Sequence, residues 1–419
     1  MVADVEAVSA RLTTVVGAPV VVLRLIDVTG GGWSRGGHVV YHAEVLHSAN
    51  GGISVFGPVD AARRASLEPA AKRSGWATAA GVRAGLDWAM GETRAAGLTP
   101  TAVEQVKTWN LSGLFRIRVE GPDEAVWFKA TPEFAACEST AIRLFGSADP
   151  ELVPRLVAAD PERRWVLLGH LPGRDCWDAP PEVIDHMVPR MVAAQLRLAD
   201  AAAGLTDHTR PRLPGLADRT PPLQAGRTGG TPPRLAGLAG GTPPWPAALA
   251  DRTPPRLAGL PTPLLDRMAG ELTPDEIRAA RTLVGRLPAM VAELAACGLP
   301  YTVTHGDFHP GNWRWDGRRA VAVDYADCHF GHPALDGLRL REFAPEERRA
   351  QVTDTWVRAW AEALPAADPA RALTLAQPLA HLYYAIRYQE FMDGIEPSEQ
   401  RYHAGDTAAE LRAALESAA

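Results

Sequence analysis

From residue 101 the chain lays down three strand-like runs in quick succession, then one helix, then two more strands, and only afterwards turns helical; this order constrains the fold more than any other feature. The three runs are "AVEQVKTW", "LFRIRVE" and "AVWFKAT", joined by "NLSG" and "GPDE". Both joints are turn sequences, because Asn, Asp, Ser, Gly and Pro adopt or preset turn backbone angles. "EFAACESTAIRLFG" (133–146) reads as a helix ending at Gly146, and "LVPRLVAAD" and "RWVLLGHL" supply two further strands before "PGRD" leads away. Strands gathered ahead of helices predict an α+β arrangement with an antiparallel sheet.

On either side of this block the pattern changes. Residues 1–98 read as a small α+β unit: "VVVLRLIDV" (20–28) and "HVVYHAEVLH" (38–47) are strands joined as a hairpin by "TGGGWSRGG", and a helix follows around 77–96. The Gly-rich connection joins strand to strand, so it reads as a turn and not as a phosphate loop. Beyond the sheet, "EVIDHMVPRMVAAQLRLADAA" (182–202) carries apolar residues at helical spacing. A later helix opens at "LTPDEIRAARTLV", with Thr273 as N-cap, Pro274 as first residue and Glu276 completing a capping box. Between these helices Thr-Pro-Pro recurs at 220–222, 231–233, 242–244 and 253–255, an 11-residue period that Thr209-Arg210-Pro211 shares. Two prolines per unit forbid a continuous helix, and each copy has few large apolar residues. The repeat, at about 206–262, is therefore expected to be a mobile surface connection, dispensable for chemistry.

Composition excludes several functions. A net charge of −6 offers no bulk basicity for nucleic acid, and no apolar run is long enough to span a membrane. Cys137, Cys176, Cys297 and Cys328 stand far apart and read as reduced thiols, and "MVADVEAVSARL" does not look like a signal peptide, so a cytoplasmic location is expected. Among 43 basic residues only Lys72, Lys107 and Lys129 are lysines, which makes each lysine informative.

The chemistry concentrates in "THGDFHPGN" (304–312), too polar for a core strand and too broken for a helix. One reading is a metal-dependent hydrolase: His305, Asp307 and His309 are potential ligands within five residues, with Asp324, Asp327, His329 and His332 downstream. That reading leaves Asn312 unexplained. A phosphotransferase needs a carboxylate to orient the nucleophile, oxygen ligands for magnesium and a cation on the nucleotide phosphates. Asp307 and Asn312 have the D-x-x-x-x-N spacing of a kinase catalytic loop, and "AVAVDYAD" ends a strand at Asp324. The intervening "WRWDGRRAVAV" is a hairpin turning at Asp316-Gly317, which can bring Asn312 and Asp324 to share one Mg2+.

"HGDFHPGN" followed by "VDYADCHFGHPALD" closely resembles the catalytic core of aminoglycoside phosphotransferase-type small-molecule kinases, over about residues 101–345. The resemblance implies a protein-kinase-like two-lobe fold, here with the extra N-terminal α+β domain: 1–98 accessory, 99–172 the sheet-bearing N-lobe, 173–419 the helical C-lobe. It implies Asp307 as catalytic base, Asn312 and Asp324 as metal ligands, and His305 as a structural ring bracing the loop. It also implies Lys129 on the α- and β-phosphates, with Glu138 its ion-pair partner and Glu133 the alternative. "WNLSG" (109–113) takes the place of the nucleotide loop, with contacts from Asn110, Ser112 and Gly113, and "LLGHLPG" (167–173) that of the hinge. The loop lacks a G-x-G-x-x-G pattern, so its contacts are expected from backbone. The hinge lacks the acidic residue often found there, so GTP stands beside ATP as donor. Asp336, in "HPALDGL", is expected to hold the helix start beside the catalytic loop.

The expected activity is Mg2+- and ATP-dependent transfer of the γ-phosphate to a hydroxyl of a small molecule. Glu390, Asp393, Glu396 and Glu399, interleaved with aromatic residues in "YYAIRYQEFMDGIEPSEQ", suggest a cationic acceptor such as an aminoglycoside or a choline-like compound. The rivals are the metal-dependent hydrolase and a catalytically idle nucleotide-binding relative.

Overall fold

The computed structural model describes residues 3–30, 37–46, 67–121, 124–206 and 249–418. Three of the Thr-Pro-Pro copies, the Thr209-Arg210-Pro211 register and most of the Gly-rich hairpin connection lie outside the described residues.

A five-stranded antiparallel sheet forms the first lobe, from β3 (Pro100–Trp109), β4 (Ser112–Val119), β5 (Ala125–Ala130), β6 (Leu156–Asp160) and β7 (Trp165–Gly169), in the order β3-β4-β5-β7-β6. Strand β4 alternates strictly, burying Gly113, Phe115, Ile117 and Val119 while Arg116 and Arg118 face outward to Glu104. That period of two is what a sheet covered on one face demands. The cover is α2 (Ala79–Ala95), whose Gly85 lies so close to the Phe128 ring that a Cβ there would sit 2.7 Å from it. Lys129 and Trp127 share the opposite face of β5, because side chains alternate along a strand.

The N-terminal residues extend the same layer. Helix α1 (Glu6–Val16) precedes the antiparallel hairpin of β1 (Val20–Thr29) and β2 (His38–Val45). Gln105 of β3 clasps the backbone of Val22, accepting from its N–H at 2.8 Å and donating to its carbonyl at 2.6 Å. Val21, Leu23, Trp76 and Val82 fall in one apolar cluster with Phe115, Phe128 and Leu167, so the hairpin, α2 and the sheet share a core.

The remaining chain is mainly helical. Helices α3 (Glu138–Ala148), α4 (Pro181–Thr206), α5 (Pro254–Leu257), α6 (Pro261–Arg267), α7 (Pro274–Ala295), α8 (Ala334–Phe343), α9 (Arg349–Ala363), α10 (Pro369–Gly394) and α11 (Asp406–Ser417) appear in that order. Their apolar faces, with fully buried Trp313, Trp356 and Trp360, make a second core. The capping box is present: Thr273 accepts from Glu276 N–H at 3.2 Å, and Glu276 accepts from Thr273 N–H at 2.7 Å. A cap of this kind contributes about 1 kcal/mol. Two small antiparallel sheets carry the site: the hairpin of β10 (Trp313–Trp315) and β11 (Ala320–Ala322), extended by β8 (Arg174–Asp175), and β9 (Thr302–Thr304) paired with β12 (His329–Gly331) across that hairpin. The expected Asp316-Gly317 turn joins β10 to β11, with Asp316 Oδ1 accepting from Arg318 and Arg319 N–H and Gly317 at φ 95°. Among the described residues no helix is long and apolar enough to cross a membrane.

Two expectations need correction. The helix placed at 133–146 starts five residues later and runs past Gly146 to Ala148. Residues 133–137 form a turn and loop instead, with Ala135 N–H on the Pro132 carbonyl and Ala136 N–H bonding the Ala326 carbonyl at 2.7 Å. The last copy of the repeat is not a free connection: Arg252 N–H donates to Phe330 O, Phe330 N–H donates to Ala250 O, and Leu249, Pro254 and Leu257 are buried. Its two prolines begin α5, where a missing N–H costs no hydrogen bond.

Candidate active site

Strand β5 holds Lys129 at the buried edge of the cleft, and α3 delivers Glu138 from its first turn. Lys129 Nζ lies 3.0 Å from the Glu138 carboxylate and 2.7 Å from Asp324 Oδ1. Burial opposes the Lys129 charge, but Asp324 and Glu138 outweigh it and keep the ammonium protonated well above its ordinary range. The same burial raises the Glu138 carboxyl despite the lysine. For Asp324 the lysine wins over burial, and the carboxyl is lowered. Glu138, the first of the two sequence candidates, is the residue at Lys129; Glu138 also accepts from Tyr325 N–H at 3.1 Å.

Asp324 sits just past β11 with φ 66°, the left-handed region that a non-glycine residue enters at a cost of about 1 kcal/mol or more. Its side chain is nevertheless 47 % exposed to the cleft. Val323 N–H donates to the Asn312 carbonyl at 2.8 Å, so the hairpin does bring Asn312 beside Asp324.

Asp307 is held from three sides. Asn312 Nδ2 donates to its backbone carbonyl at 2.9 Å and to Oδ2 at 3.0 Å, Arg339 Nε donates to Oδ1 at 2.8 Å, and His309 Nε2 stands 3.3 Å from Oδ2. Burial alone would raise this carboxyl; Arg339 and His309 reverse the effect and hold it far below the usual carboxylate range. His309 accepts from Gly311 N–H at Nδ1, which leaves the proton on Nε2 facing Asp307. The two supports share one ring: His309 lies between the Trp177 and Phe343 rings, and the Arg339 guanidinium lies 4.0 Å from the Phe343 ring centre and 4.5 Å from that of Tyr384.

Asp336, one turn before Arg339 on α8, fastens the loop itself. Its carboxylate accepts from His305 N–H (2.8 Å), Gly306 N–H (2.9 Å) and Gln195 Nε2 (2.7 Å). His305 is fully buried, donating Nε2–H to the Val323 carbonyl, and burial lowers its pKa to about 4. The other histidines behave alike: His329 bonds the Asp327 carbonyl and Tyr383, and His332 accepts from Ala334 N–H. Among the described residues no three His, Cys, Asp or Glu side chains converge as a metal site, so the hydrolase arrangement is not assembled.

The nucleotide-loop residues lie at the end of the sheet near Lys129, since Gly113 pairs with Ala130 and Leu114 with Lys129. Asn110 is buried with its amide on His403 at 3.1 Å, while Ser112 Oγ accepts from Trp109 Nε1 at 3.2 Å and keeps its own O–H to donate. The acidic cluster expected to receive a cation is already neutralised from within. Glu390 pairs with Arg252 and Arg387, Asp393 with Arg267, and Glu396 with Arg24 and Arg73, while burial pushes Glu399 up to about 7. Arg252, Arg267, Arg24 and Arg73 arrive from distant segments that sequence reasoning could not see, whereas Arg387 lies three residues before Glu390 on the same helix. Sequence reasoning also missed Arg339, although its spacing of three from Asp336 puts both on one helix face.

The sequence profile described as the phosphotransferase enzyme family matches residues 129–373, from Lys129 through the loop and beyond Arg339. The chain belongs to this family. It is a small-molecule kinase of the ATP-dependent class. Solved structures resemble this phosphotransferase at low identity. A Thermobifida fusca protein assigned as a fructosamine-3-kinase is 21 % identical, with 78 % of this chain and 98 % of that one covered and a TM-score of 0.49. A macrolide 2'-phosphotransferase from Brachybacterium faecium is 18 % identical over 78 % and 97 % of the chains, with a TM-score of 0.45. A choline kinase from Streptococcus pneumoniae is 12 % identical over 78 % and 99 %, with a TM-score of 0.46. No curated protein matches the phosphotransferase sequence.

Proposed function

We propose that this phosphotransferase moves the γ-phosphoryl group of ATP, with Mg2+, to a hydroxyl of a small-molecule acceptor by direct in-line displacement. The observation that carries the reading is the convergence of Asp307, Asn312 and Asp324 on one cleft, with Lys129 held between Asp324 and Glu138. The acceptor oxygen forms its bond to the γ-phosphorus as the bond to the β-bridging oxygen breaks, and ADP leaves. Asp307 aligns the acceptor hydroxyl and receives its proton. With so acidic a carboxyl, orientation outweighs basicity, which suits the loose transition state of phosphoryl transfer. Lys129 steadies the α- and β-phosphates, as its permanent charge allows. Asn312 commits its Nδ2 to Asp307 and keeps its carbonyl oxygen available, so Asn312 Oδ1 and the exposed Asp324 carboxylate form a hard-oxygen pair fit for magnesium. Magnesium there would neutralise charge on the phosphate oxygens.

The test offers wild type and Asp307→Asn pooled alcohols and amines with Mg2+ and either ATP or GTP, and reads phosphorylated products by mass spectrometry. Products formed only by wild type support the reading, and the better donor separates ATP from GTP. Equal product from Asp307→Asn would remove Asp307 from its role.

A further inference from the structure

A cavity of about 330 Å3 opens beside this cleft, between the loop leading into α3, the end of the repeat and α10. Its size lies at the small end of ligand sites. The segment bearing Asp324 forms one wall. Asp327 lines the cavity, and its backbone carbonyl presses so closely on Gly306, the neighbour of Asp307, that a Cβ at Gly306 would sit 2.1 Å from that oxygen. Cys137, next to Glu138, lines the other wall.

Three arginines, Arg164, Arg252 and Arg387, share the wall with Asp327 as the one Asp or Glu among its lining residues. Arg387 is only 8 % exposed; its terminal nitrogens bond Asp327 and Glu390 at 2.6 Å each, and its Nε has no hydrogen-bond partner among the described residues. Arg252 gives one terminal nitrogen to Glu390. Arg164 donates to the Glu133 carbonyl at 3.4 Å, and its φ of 58° holds it in the left-handed region. Counting Glu390 behind the wall, three guanidiniums meet two carboxylates, and donors exceed acceptors. His329 is engaged at Nδ1, and Phe134 and Tyr383 supply ring surface. A buried donor without a partner costs about 1–3 kcal/mol, so the arrangement favours a ligand that brings acceptor oxygens and negative charge.

We propose that this cavity receives an anionic group of the acceptor, a carboxylate or a phosphate, and that the acceptor is therefore a small hydroxylated acid and not a polycation. The inference rests on the phosphotransferase reading above and names the substrate class for the same site.

The experiment uses matched sets in which one short hydroxylated skeleton carries a carboxylate, a phosphate ester, an amide or an ammonium group, each offered with Mg2+ and ATP. Wild type, Arg164→Gln, Arg252→Gln and Asp307→Asn are compared by product mass and by ADP release. Anionic members are expected to exceed their amides at least tenfold in kcat/KM, and Arg164→Gln to raise acceptor KM about tenfold while the KM for ATP holds. Which product dominates tells a carboxylate from a phosphate ester. Preference for ammonium members, equal use of the amides, or Asp307-dependent ATP turnover without any anionic product each overturns the inference and leaves the kinase reading standing. Absence of any Asp307-dependent turnover of ATP removes both.

Discussion

Arg339 Nε lies 2.8 Å from Asp307 Oδ1, and its guanidinium is clamped between the rings of Phe343 and Tyr384. The arginine thus fixes the rotamer and the charge of the loop carboxylate together. Arg339→Ala is expected to lower kcat about 100-fold, an effect typical of a small misplacement of a reacting group. It should also destabilise the fold by about 3 kcal/mol, since a buried carboxylate loses its partner. The acid limb of the pH–rate profile should move upward as the Asp307 carboxyl returns toward its ordinary range. Arg339→Lys keeps the charge but not the stacked fork, so it should recover only part of the rate; an unchanged profile in both variants would make Arg339 merely structural.

Lys129 and Glu138 form a buried pair whose members are not independent. Lys129→Met should raise the KM for ATP and reduce kcat, yet the protein should still fold, because burial already favours the protonated Glu138 carboxyl. The double variant Lys129→Met/Glu138→Gln should be less impaired in stability than the sum of the single changes, with a coupling of about 1–3 kcal/mol by denaturant titration.

At Asp324 function and stability are predicted to separate. Asp324→Gly and Asp324→Ala should both abolish turnover. The glycine variant should be the more stable of the two by about 1 kcal/mol, because only glycine adopts φ 66° without strain. Urea midpoints of the two proteins measure this directly, and equal midpoints would remove the strain argument.

Acid sensitivity follows from three buried rings. Burial lowers His305 to about 4 and His329 and His332 to about 3, against about 6.5 for an exposed histidine. Between those values the three rings bind more protons in the unfolded chain than in the folded one, so their contribution is complete above about pH 6.5 and is lost as pH drops toward the folded values. Each ring contributes up to about 1.4 kcal/mol per pH unit, and the buried Asp336 and Glu399 carboxyls, both raised to about 7, oppose two of the three, so the net slope is about 1.4 kcal/mol per pH unit. Urea unfolding at several pH values between about 5 and 7.5 should show this slope. His332→Gln, at the ring whose shift comes from burial alone, should lower the slope by about 1.4 kcal/mol per pH unit.

Two carboxylates near the end of α10 should differ sharply in weight. Glu396 is 2 % exposed and bonds both Arg24 and Arg73 of the N-terminal unit, whereas the Asp393–Arg267 pair is half exposed. Glu396→Ala is predicted to cost about 3 kcal/mol and Asp393→Ala less than about 1 kcal/mol by denaturant titration. Comparable losses would mean that the N-terminal unit is not tied to the helical lobe through Glu396.

The strands, the capping box at Thr273, the Asp316-Gly317 turn and the Asp307–Asn312–Asp324 spacing were all legible in the chain, because each depends on residues near one another in sequence. Periodicity, caps and turn chemistry are local, and a catalytic loop is written contiguously. The pairing of Lys129 with Asp324, the seat of Arg339 on Asp307 and the grip of Asp336 on the loop join segments far apart in sequence, and only the folded chain brings those charges within bonding distance. The same holds for Glu396, which Arg24 and Arg73 of the N-terminal unit neutralise, and for Glu390, which Arg252 reaches from a distant segment to join its helix neighbour Arg387. Local sequence determined which chemical groups are present; packing decided which of their charges remain available to a substrate, because a carboxylate already paired in the fold has little attraction left to offer.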